Sequence, residues 1–358
     1  MVLLNVKKEI PHELLIFKVM FEKVRDLINL INKVSIFKFF NLVKLGLSFS
    51  YSVVLRKARR WGQPYAIAFE PTTICNLECP ECPSGLRKFT RPTGNANLEL
   101  FEKTISQTKK HAFYLTLYFQ GEPLINPDFF KMVKSAKQNN FYVTSSSNAH
   151  YFNKENAKKT VESGLDRLII SVDGITQESY SKYRVGGKLN TVLEGIENLV
   201  NAKKELNSSK PFIIVQFLAF SHNKHEIGEI KNMKTKYGVN DVKIKLAQFY
   251  NPNTSELIPK EESLTRYKKN NSGDYIIKNN QANRCWRLWS SPVITQDGQV
   301  LPCCFDKDAN YPMGKLENES FSEIWNNKKY NGFRKQLFSE RNKIDICQNC
   351  SEGSKVWF

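Results

Sequence analysis

Three of the eight cysteines in this chain lie within eight residues, in the stretch CNLECPEC (75–82). The spacing C-x3-C-x2-C and the proline inside the stretch predict a loop. On this loop Cys75, Cys79 and Cys82 would bind one metal ion or metal cluster together. Structural zinc takes four protein ligands, and catalytic zinc adds histidine or carboxylate ligands. A [4Fe–4S] cube held by three thiolates keeps one iron open for a substrate or cofactor. The trio therefore favours an iron–sulfur cluster with one free iron over zinc.

The other five cysteines form a second group near the C-terminus, and none occurs between residues 83 and 284. They are Cys285, Cys303, Cys304, Cys347 and Cys350. Clustered cysteines in a long chain are typical of metal ligation rather than of a disulfide scaffold. The apolar segments around them are short, which predicts a small domain, residues 256–358, that metal holds together. Zinc with four thiolate ligands stays open as an alternative for this group.

The charge of the chain favours anionic partners. Lys and Arg number 53 against 35 Asp and Glu, which gives a formal charge of +18. Such an excess suits phosphorylated metabolites, lipid headgroups or nucleic acid, and it does not bear on the fold. The first residues, MVLLNVKKEIPHELL, lack the pattern of a signal peptide. We therefore expect a protein of the reducing cytoplasm.

Residues 1–62 predict a helical segment. Apolar residues spaced three and four apart over residues 14–31 make one helical stripe. The apolar run 34–55 is long enough to span a bilayer, but Lys38 and Lys44 would each cost roughly 2.5–3.5 kcal/mol at the midplane. The segment carries 12 Lys and Arg against 4 Asp and Glu, which suits an anionic leaflet. We favour helices that lie in the membrane interface; a soluble helical cap and a true span are the alternatives.

Residues 63–255 alternate between predicted strands and predicted helices. The strands are 65–72, 114–121, 142–148, 167–174, 212–220 and 241–250. The helices lie near 97–110, 127–139, 153–164, 188–206 and 222–238. Several strands are near-continuous apolar runs, as in a parallel sheet that is covered on both faces. The pattern predicts an α/β fold, a partial (β/α)6 TIM-like barrel with the helical segment and the small cluster domain attached; a flat doubly wound sheet is the alternative.

The cysteine trio directly follows the first predicted strand, and this arrangement resembles the radical S-adenosylmethionine (SAM) enzymes. The resemblance covers residues 65–250 and implies a [4Fe–4S] cluster whose open iron chelates SAM. One-electron cleavage of SAM then gives a 5′-deoxyadenosyl radical, which abstracts hydrogen from a substrate. The second strand ends in QGEP, which is similar to the family's G-G-E-P. This likeness implies that Gly121, Glu122 and Pro123 hold the SAM amino group.

Polar residues at the later strand ends extend the resemblance. The third strand ends in SSSN, where related enzymes show T-N-G, and the match implies Ser146 and Asn148 as SAM-binding residues. Ser171 and Asp173 end the fourth strand, where the family places the ribose hydroxyls, and an Asp can accept hydrogen bonds from these. Arg184 lies in the segment that follows and is expected to pair with the SAM carboxylate.

The C-terminal segment resembles the SPASM/twitch extension of certain radical SAM enzymes. The fragments PCCFD, MGKL and SFSEIW match its middle portion, and Gly298 and Cys303 are spaced G-x4-C. Because this group holds five cysteines, the resemblance implies one fully ligated second [4Fe–4S] cluster rather than two. The implied ligands are Cys285, Cys303, Cys347 and Cys350, with Cys304 as the alternative to Cys303.

These features predict an enzyme that uses SAM and two [4Fe–4S] clusters and takes electrons from flavodoxin or ferredoxin. We expect oxidation, dehydrogenation or epimerisation of an anionic, lipid-linked or nucleotide-linked carbohydrate-like substrate. A maturase of ribosomally made peptides and a non-catalytic, metal-stapled binding protein are the alternatives. Peripheral membrane contact through residues 1–60 is expected; nucleic acid is not, because cold-shock, KH and zinc-finger signatures are missing. The catalytic acid or base stays open among Tyr118, His150, His222 and Asp306.

Overall fold

The computed structural model describes residues 12–278 and 282–351. Residues 1–11, predicted as part of the helical segment, and residues 352–358, predicted as part of the cluster domain, lie outside the described residues. The strands are β1 Ala66–Phe69, β2 Tyr114–Thr116, β3 Tyr142–Ser147, β4 Arg167–Ser171, β5 Phe212–Ala219, β6 Asp241–Leu246, β7 Tyr267–Lys269, β8 Tyr275–Ile277, β9 Val293–Ile294, β10 Gln299–Leu301 and β11 Gly314–Lys315.

Helices occupy most of the predicted helical segments. They are α1 His12–Ile31, α2 Ile36–Leu55, α3 Pro83–Leu86, α4 Leu98–Thr108, α5 Phe129–Gln138, α6 Lys154–Glu162, α7 Gln177–Tyr183, α8 Leu189–Glu205, α9 Ile227–Ile230, α10 Met233–Tyr237, α11 Arg287–Ser290, α12 Phe321–Asn326, α13 Lys328–Glu340 and α14 Asp345–Gln348. Asparagine side chains cap two of the crossover helices: Asn97 accepts from the Leu100 N–H at 2.7 Å and Asn153 from the Asn156 N–H at 2.8 Å. The predicted helix 222–238 is interrupted and forms the short helices α9 and α10 instead.

Six strands form a parallel sheet in sequence order, from β1 to β6. A doubly wound sheet reverses its strand order at a switch point, and these six strands do not reverse. The α/β fold with a partial TIM-like barrel is therefore confirmed, and the flat doubly wound alternative is wrong. In such a sheet all six carboxyl ends lie at one end of the barrel, where side chains from different strands can meet.

The C-terminal segment extends the same sheet. Strand β9 pairs in parallel with β1, with Ala68 opposite Val293, and β10 and β11 continue beyond it in antiparallel pairs. The full sheet order is β11-β10-β9-β1-β2-β3-β4-β5-β6. The predicted boundary at residue 255 stays a prediction, and the parts on its two sides share one sheet. This arrangement places the second cysteine group beside the first strand of the barrel.

Helices α1 and α2 cover the end of the barrel where the strands begin. Asp26 on α1 accepts a hydrogen bond from the Tyr142 hydroxyl at 2.6 Å and forms an ion pair with Arg167. On α2, Phe49 packs edge-on against Trp289 at 5.5 Å between ring centroids, and Leu45 is fully buried. Within the described residues, no helix is both long enough and apolar enough to cross a membrane. The true span considered for residues 34–55 is therefore wrong.

Candidate active site and the two cysteine groups

The loop after β1 folds back on itself around the cysteine trio. The Cys82 N–H donates to the Cys79 carbonyl at 3.2 Å, and Cys82 leads directly into α3. Gly85 in α3 lies so close to this loop that a Cβ atom there would come within 2.5 Å of the Cys79 backbone nitrogen. A residue without a side chain is needed at this contact. The local sequence thus closes the loop tightly enough for its three sulfur atoms to face one space.

That space is a cleft of about 150 Å³ that is open to solvent. Its walls are formed by Cys75, Leu77, Cys79, Cys82, Gly85, Tyr118, Phe119, Gly121, Glu122, Ser146, Ser147, Asn148, Ser171 and Arg184. These residues come from the carboxyl ends of β1 to β4 and from the segment after α7. All of the predicted SAM-site residues except Pro123 and Asp173 therefore line one cleft together with the cysteine trio.

The end of the second strand is fastened to the cysteine loop. Gly121 has a φ of +71° and donates its N–H to the Ser84 hydroxyl at 2.8 Å. A Cβ atom on Gly121 would lie 2.5 Å from the Thr72 carbonyl oxygen, so glycine is required for this approach. The Glu122 N–H donates to the Ile74 carbonyl at 2.8 Å. These contacts explain why β2 ends at Thr116, earlier than predicted: the chain turns toward the loop.

The carboxylate of Glu122 is buried and aimed into the cleft. It accepts a hydrogen bond from the Asn148 N–H at 2.7 Å, and burial raises its pKa to about 7. The side-chain amide of Asn148 donates to Asn76 at 2.8 Å and lies 4.0 Å from the Cys75 sulfur. A carboxyl group of this kind is about half ionised at neutral pH and gains from pairing with a cation, such as the ammonium group of an amino acid.

Asp173 and Arg184 form a buried ion pair behind the cleft wall. The carboxylate accepts from Arg184 Nε at 2.6 Å and from the Leu218 N–H at 2.6 Å, so both of its oxygens have partners. The other end of the guanidinium group reaches the cleft, with Nη1 3.8 Å from the Cys79 sulfur. Asp173 does not line the cleft, and its predicted contact with a ribose stays a prediction. Its contacts orient Arg184, whereas Ser171 faces the cleft.

The remaining sequence candidates divide between the cleft and the surrounding scaffold. Pro123 is buried at the start of a short 3-10 turn and does not line the cleft. His150 accepts the Lys188 N–H at 2.9 Å, and the Asp306 carboxylate accepts the Asn310 and Tyr311 N–H groups at 2.7 and 2.9 Å. His222 stacks on Phe220 with the ring centroids 5.6 Å apart. Among the proposed acids and bases, Tyr118 is the one that lies on the cleft wall.

The second cysteine group converges although its members are far apart in sequence. Burial raises the pKa of the Cys303 thiol, and the neighbouring Cys304, Cys285, Cys350 and Cys347 raise it further because thiolates repel one another. Burial also raises the pKa of Cys347 to about 11. Thiols in such a group stay protonated unless a metal replaces the protons. The donor set therefore suits a metal centre of several thiolates.

Cys303 and Cys304 face different surroundings. Cys303 belongs with the other distant cysteines, as its raised pKa indicates. Cys304 packs instead against the small cluster of Ala68, Val293 and Leu301, together with Phe119 from the cleft wall. Cys304 also lies next to Cys303, so the assignment of Cys303 as the ligand, with Cys304 as the alternative, stays a prediction.

Sequence reasoning missed two buried arginines that organise the sites. Arg341 is fully buried, donates to the Ala282 and Arg284 carbonyls at 3.0 Å, and hydrogen-bonds the Cys347 sulfur. Arg91 forms a two-pronged ion pair with buried Glu70 at 2.6 and 2.7 Å. A buried arginine looks like a solvated one in sequence, because its distant partner decides its burial. The only signal was the excess of basic residues.

The segment after β10 lies against the first cysteine loop. Arg91 Nε donates to the Lys307 carbonyl at 3.1 Å, and Lys307 Nζ lies 4.9 Å from the centre of the Tyr250 ring. Burial lowers the pKa of Lys307, while the nearby Cys82 and Cys304 sulfurs oppose this shift. Lys307 is therefore close to both cysteine groups.

In the described parts of the chain, no group of three or more His, Cys, Asp and Glu side chains is placed to hold a single metal ion.

Two family descriptions match this chain. The radical SAM superfamily matches residues 69–217, which contain the cysteine trio and the cleft. The SPASM iron–sulfur cluster-binding domain matches residues 285–351, which contain the second cysteine group. The chain is a radical SAM enzyme with a C-terminal SPASM domain. SAM and iron–sulfur clusters are its cofactors, which excludes the non-catalytic alternative.

The residues of this radical SAM enzyme fit those cofactors. Three thiols face an open cleft, and glycines sit where the backbone must approach the loop closely. Burial raises the pKa of Cys75 to about 12, so iron must displace its proton. The Arg184 guanidinium near Cys79 and the Arg341 guanidinium at Cys347 supply positive charge beside each group. Cys75, Cys79 and Cys82 would hold the first cluster, and Cys285, Cys303, Cys347 and Cys350 the second.

Relatives of this enzyme act on very different substrates. It is 25% identical over 79% of its length to a tungsten-containing aldehyde ferredoxin oxidoreductase cofactor-modifying protein from Pyrococcus furiosus, of which it covers 86%. It is 23% identical to a PqqA peptide cyclase from Gluconobacter oxydans, with 82% of this chain and 84% of that protein covered. It is also 23% identical to an S-adenosyl-L-methionine-dependent 2-deoxy-scyllo-inosamine dehydrogenase from Niallia circulans, with 80% and 93% covered.

Solved structures share the fold. SuiB from Streptococcus suis bound to S-adenosylmethionine aligns with a TM-score of 0.60 and 14% identity, over 82% of this chain and 73% of SuiB. BtrN in complex with AdoMet and 2-DOIA aligns with a TM-score of 0.52 and 20% identity, over 82% of this chain and 95% of BtrN. At these identities the likeness establishes the fold and leaves the substrate open.

Proposed function

We propose that this enzyme cleaves SAM at the first cysteine group and oxidises a small anionic substrate that resembles a carbohydrate. The observation that carries the proposal is the cleft in which the cysteine trio, Glu122 and Arg184 converge, with a second cysteine group beside it. The likeness to the 2-deoxy-scyllo-inosamine dehydrogenase, which this chain covers over 93% of its length, supports a dehydrogenase chemistry. Epimerisation begins with the same abstraction of a hydrogen atom and is the alternative reaction.

The cleft residues would bind SAM by charge and hydrogen bonding. Glu122 would accept from the SAM ammonium group, and Arg184 would pair with the SAM carboxylate. Ser146, Asn148 and Ser171 would contribute neutral hydrogen-bonding groups along the same wall. Asp173 would keep the guanidinium group of Arg184 oriented, because its carboxylate is fixed from behind by the Leu218 N–H.

Positive charge near both cysteine groups supports an anionic substrate. Among the described residues, the ammonium group of Lys307 forms no hydrogen bond or ion pair, and its nearest named contact is the Tyr250 ring. The charged groups near this ammonium group include Glu81 and the Cys82 and Cys304 sulfurs, and a lysine ammonium group also attracts a phosphate or carboxylate. Lys307 lies outside the residues that line the cleft but close to Cys82 on its wall, and from there it would attract the anionic group of a substrate in the cleft. A nucleotide-linked or lipid-linked sugar has the required charge.

The oxidation balances with the two cofactors. When bound, SAM with its cluster supplies a 5′-deoxyadenosyl radical, and the second cluster supplies a one-electron acceptor. An alcohol carbon that loses a hydrogen atom becomes a carbonyl after it also loses one electron and one proton. Burial raises the pKa of Tyr118 on the cleft wall, so its phenol group stays protonated and would hydrogen-bond the substrate, while the released proton would go to water. Flavodoxin or ferredoxin would supply the electron that starts each turnover.

Anaerobic turnover with deuterated substrates tests the proposal. Candidate sugar phosphates and nucleotide sugars carry deuterium at one alcohol carbon at a time, and the label is sought in 5′-deoxyadenosine by mass spectrometry. We expect transfer from one position, with a carbonyl product, and a KM that rises in Lys307→Met but recovers in Lys307→Arg. SAM cleavage without label transfer from any candidate of this class would count against the substrate assignment.

Peptide maturation is the second candidate function. It is supported by the likeness to the PqqA peptide cyclase, because the alignment with this chain covers 84% of that protein. A small sheet with helices often binds leader peptides, but residues 12–62 form helices without a strand. The same label-transfer assay with deuterated precursor peptides separates the two functions, because the deuterium then comes from an amino-acid side chain or Cα.

The proposed location and partners follow from charge and cofactors. We place the enzyme in the cytoplasm, where reductants and free thiols are maintained, with peripheral membrane contact through residues 1–60. Nucleic acid is not among the proposed partners. Pull-down of the full chain with flavodoxin and ferredoxin, followed by SAM cleavage assays, identifies the reductant.

A further inference from the structure

The outer surface of α1 and α2 is unusually apolar. Of the 21 exposed large apolar side chains in the described residues, 16 lie between Met20 and Trp61. Phe37 and Val54 are each 78% exposed, and Phe21 and Leu47 each retain more than half of their surface in water. We call this outer surface of residues 20–61 the apolar platform. Exposed apolar patches of this extent mark surfaces that contact a partner or a membrane.

Helix α1 has the reverse polarity of an ordinary surface helix. A surface helix normally turns its apolar stripe toward the core. Here Asp26 is buried against Tyr142, Asn29 donates to Asp166 at 2.9 Å, and Glu22 accepts from Asn240 at 2.8 Å. The polar stripe therefore faces the barrel and the apolar stripe faces outward. Specific hydrogen bonds fix this orientation, so the exposure belongs to the fold.

The rim of the platform is basic. Lys23, Arg25, Lys44, Arg56 and Lys57 are exposed. Between residues 20 and 61 the acidic residues are Glu22 and Asp26, and neither is exposed. An apolar surface with a cationic rim complements anionic lipid headgroups over an acyl layer. A second copy of this chain would bring the same positive rim into contact with itself, which opposes dimerisation through this surface.

We propose that the apolar platform docks on an anionic bilayer, so that the start of the barrel strands faces the membrane and the cysteine cleft faces the aqueous side. The platform lies where the strands begin, whereas Cys75, Glu122 and Asn148 follow the ends of β1, β2 and β3. A six-residue strand such as β3 spans roughly 20 Å at about 3.3 Å per residue. The cleft therefore stands well above the headgroups.

The docking proposal adds an orientation to the proposed membrane contact. It does not depend on the proposed chemistry. A substrate reaches the cleft from solution, or on a linker long enough to cross the height of the barrel. Substrates whose reacting carbon lies within the headgroup layer do not reach it.

Vesicle flotation of the full chain tests the docking. Vesicles of phosphatidylcholine alone and of phosphatidylcholine mixed with phosphatidylglycerol are compared. We expect binding to the anionic vesicles that weakens with salt, and a loss of about tenfold or more in partition for Phe37→Glu and for Val54→Glu. The matched control is Ile276→Glu, which changes an exposed apolar residue in the β7–β8 hairpin and is expected to bind as the wild type does.

Two further measurements test the occupant and the orientation. Trp61 is 52% exposed, so its fluorescence is expected to be quenched by brominated lipids, and Trp61→Phe is expected to lose that quenching. SAM cleavage by vesicle-bound enzyme is expected to stay within twofold of the free enzyme. Absence of vesicle binding, equal binding by the Glu variants, or a concentration-dependent dimer that these variants dissolve overturns the docking proposal. Loss of SAM cleavage on vesicles overturns the orientation, whereas absence of SAM cleavage in solution counts against the proposed function alone.

Discussion

The two cysteine groups differ in what surrounds their sulfur atoms. The first group lies on one continuous loop of eight residues, and its sulfurs face a cleft lined by serine, asparagine, glutamate and arginine side chains. The second group is assembled from three separate places in the chain, and the fully buried Arg341 lies beside it. One site keeps polar groups available for a ligand, and the other is enclosed.

This difference separates the two tasks of a cluster. Three ligands with an open polar side leave room for a cosubstrate that must bind and depart in each turnover. Four enclosed ligands leave no such room, but the cluster that they hold stabilises the fold of a segment whose apolar core is small. The second site therefore suits electron transfer and structural support, while bond breaking belongs to the first.

Replacing one cysteine in each group tests most directly whether the two groups have different tasks. Cys75→Ala is expected to lower SAM cleavage by about 1000-fold or more, which corresponds to about 4 kcal/mol, and to leave the second cluster in place. Cys347→Ala is expected to keep SAM cleavage measurable but to unfold at lower denaturant. Iron content, electron paramagnetic resonance and 5′-deoxyadenosine release measure both. Equal loss of SAM cleavage in the two variants would contradict the division of tasks.

Replacing Cys303 and Cys304 one at a time tests which of them is a ligand of the second cluster. Cys303→Ser is expected to lose the second cluster and about 100-fold of product formation, or about 2.7 kcal/mol, while 5′-deoxyadenosine still forms. Cys304→Ser is expected to retain the iron, because Cys304 packs against the cluster of Ala68, Val293 and Leu301. The pair serves as its own control, since both changes replace sulfur by oxygen. Iron loss in Cys304→Ser alone would reverse the assignment.

The buried arginine beside the second group tests its structural role. Arg341→Met leaves the Ala282 and Arg284 carbonyls without their donor and removes the positive charge at Cys347. We expect a loss of roughly 3 kcal/mol in the free energy of unfolding, together with loss of iron from the second site. Lys343→Met is the control, because Lys343 is exposed and changes there cost below about 0.5 kcal/mol. Anaerobic urea unfolding followed by fluorescence gives both values.

The pH dependence of SAM binding tests Glu122. Because burial raises the pKa of Glu122 to about 7, its carboxyl group is protonated below that pH and ionised above it. Affinity for the SAM ammonium group is therefore expected to strengthen as pH rises through about 7. Glu122→Gln is expected to bind about tenfold more weakly, or about 1.4 kcal/mol, with a flat profile. Anaerobic equilibrium dialysis measures this, with exposed Glu178→Gln as the control. A persistent pH step in Glu122→Gln would assign the titration to another group.

The same raised pKa has a consequence for stability. Between the ordinary Glu pKa of 4.5 and about 7, the folded chain holds a proton on Glu122 that the unfolded chain has lost. The unfolded state then binds fewer protons, so the SAM-free protein loses stability as pH rises through this range. Bound SAM is expected to offset the loss, because the proposed pairing with its ammonium group stabilises the carboxylate.

The sequence by itself determined the parts of this protein that are local. Strand and helix periodicity predicted six parallel strands in the correct order, because several of these strands are near-continuous apolar runs and turn residues flank them. The cysteine trio was readable because all three ligands lie on one loop. Gly121 and Glu122 were readable because they follow a strand end, and parallel strands bring such ends together whatever the details of packing.

Tertiary structure alone decided the features that depend on distant partners. Asp173 was predicted to face a ribose, but Arg184 and the Leu218 N–H take both of its oxygens. The burial of Arg341 and the outward turn of the apolar stripe of α1 also had no local signal. A polar stripe and an apolar stripe are equally regular in sequence, and hydrogen bonds to Tyr142 and Asp166 decide which of them faces the barrel. Local periodicity specifies that a helix has two faces, whereas the energy of burying specific partners chooses the inner one.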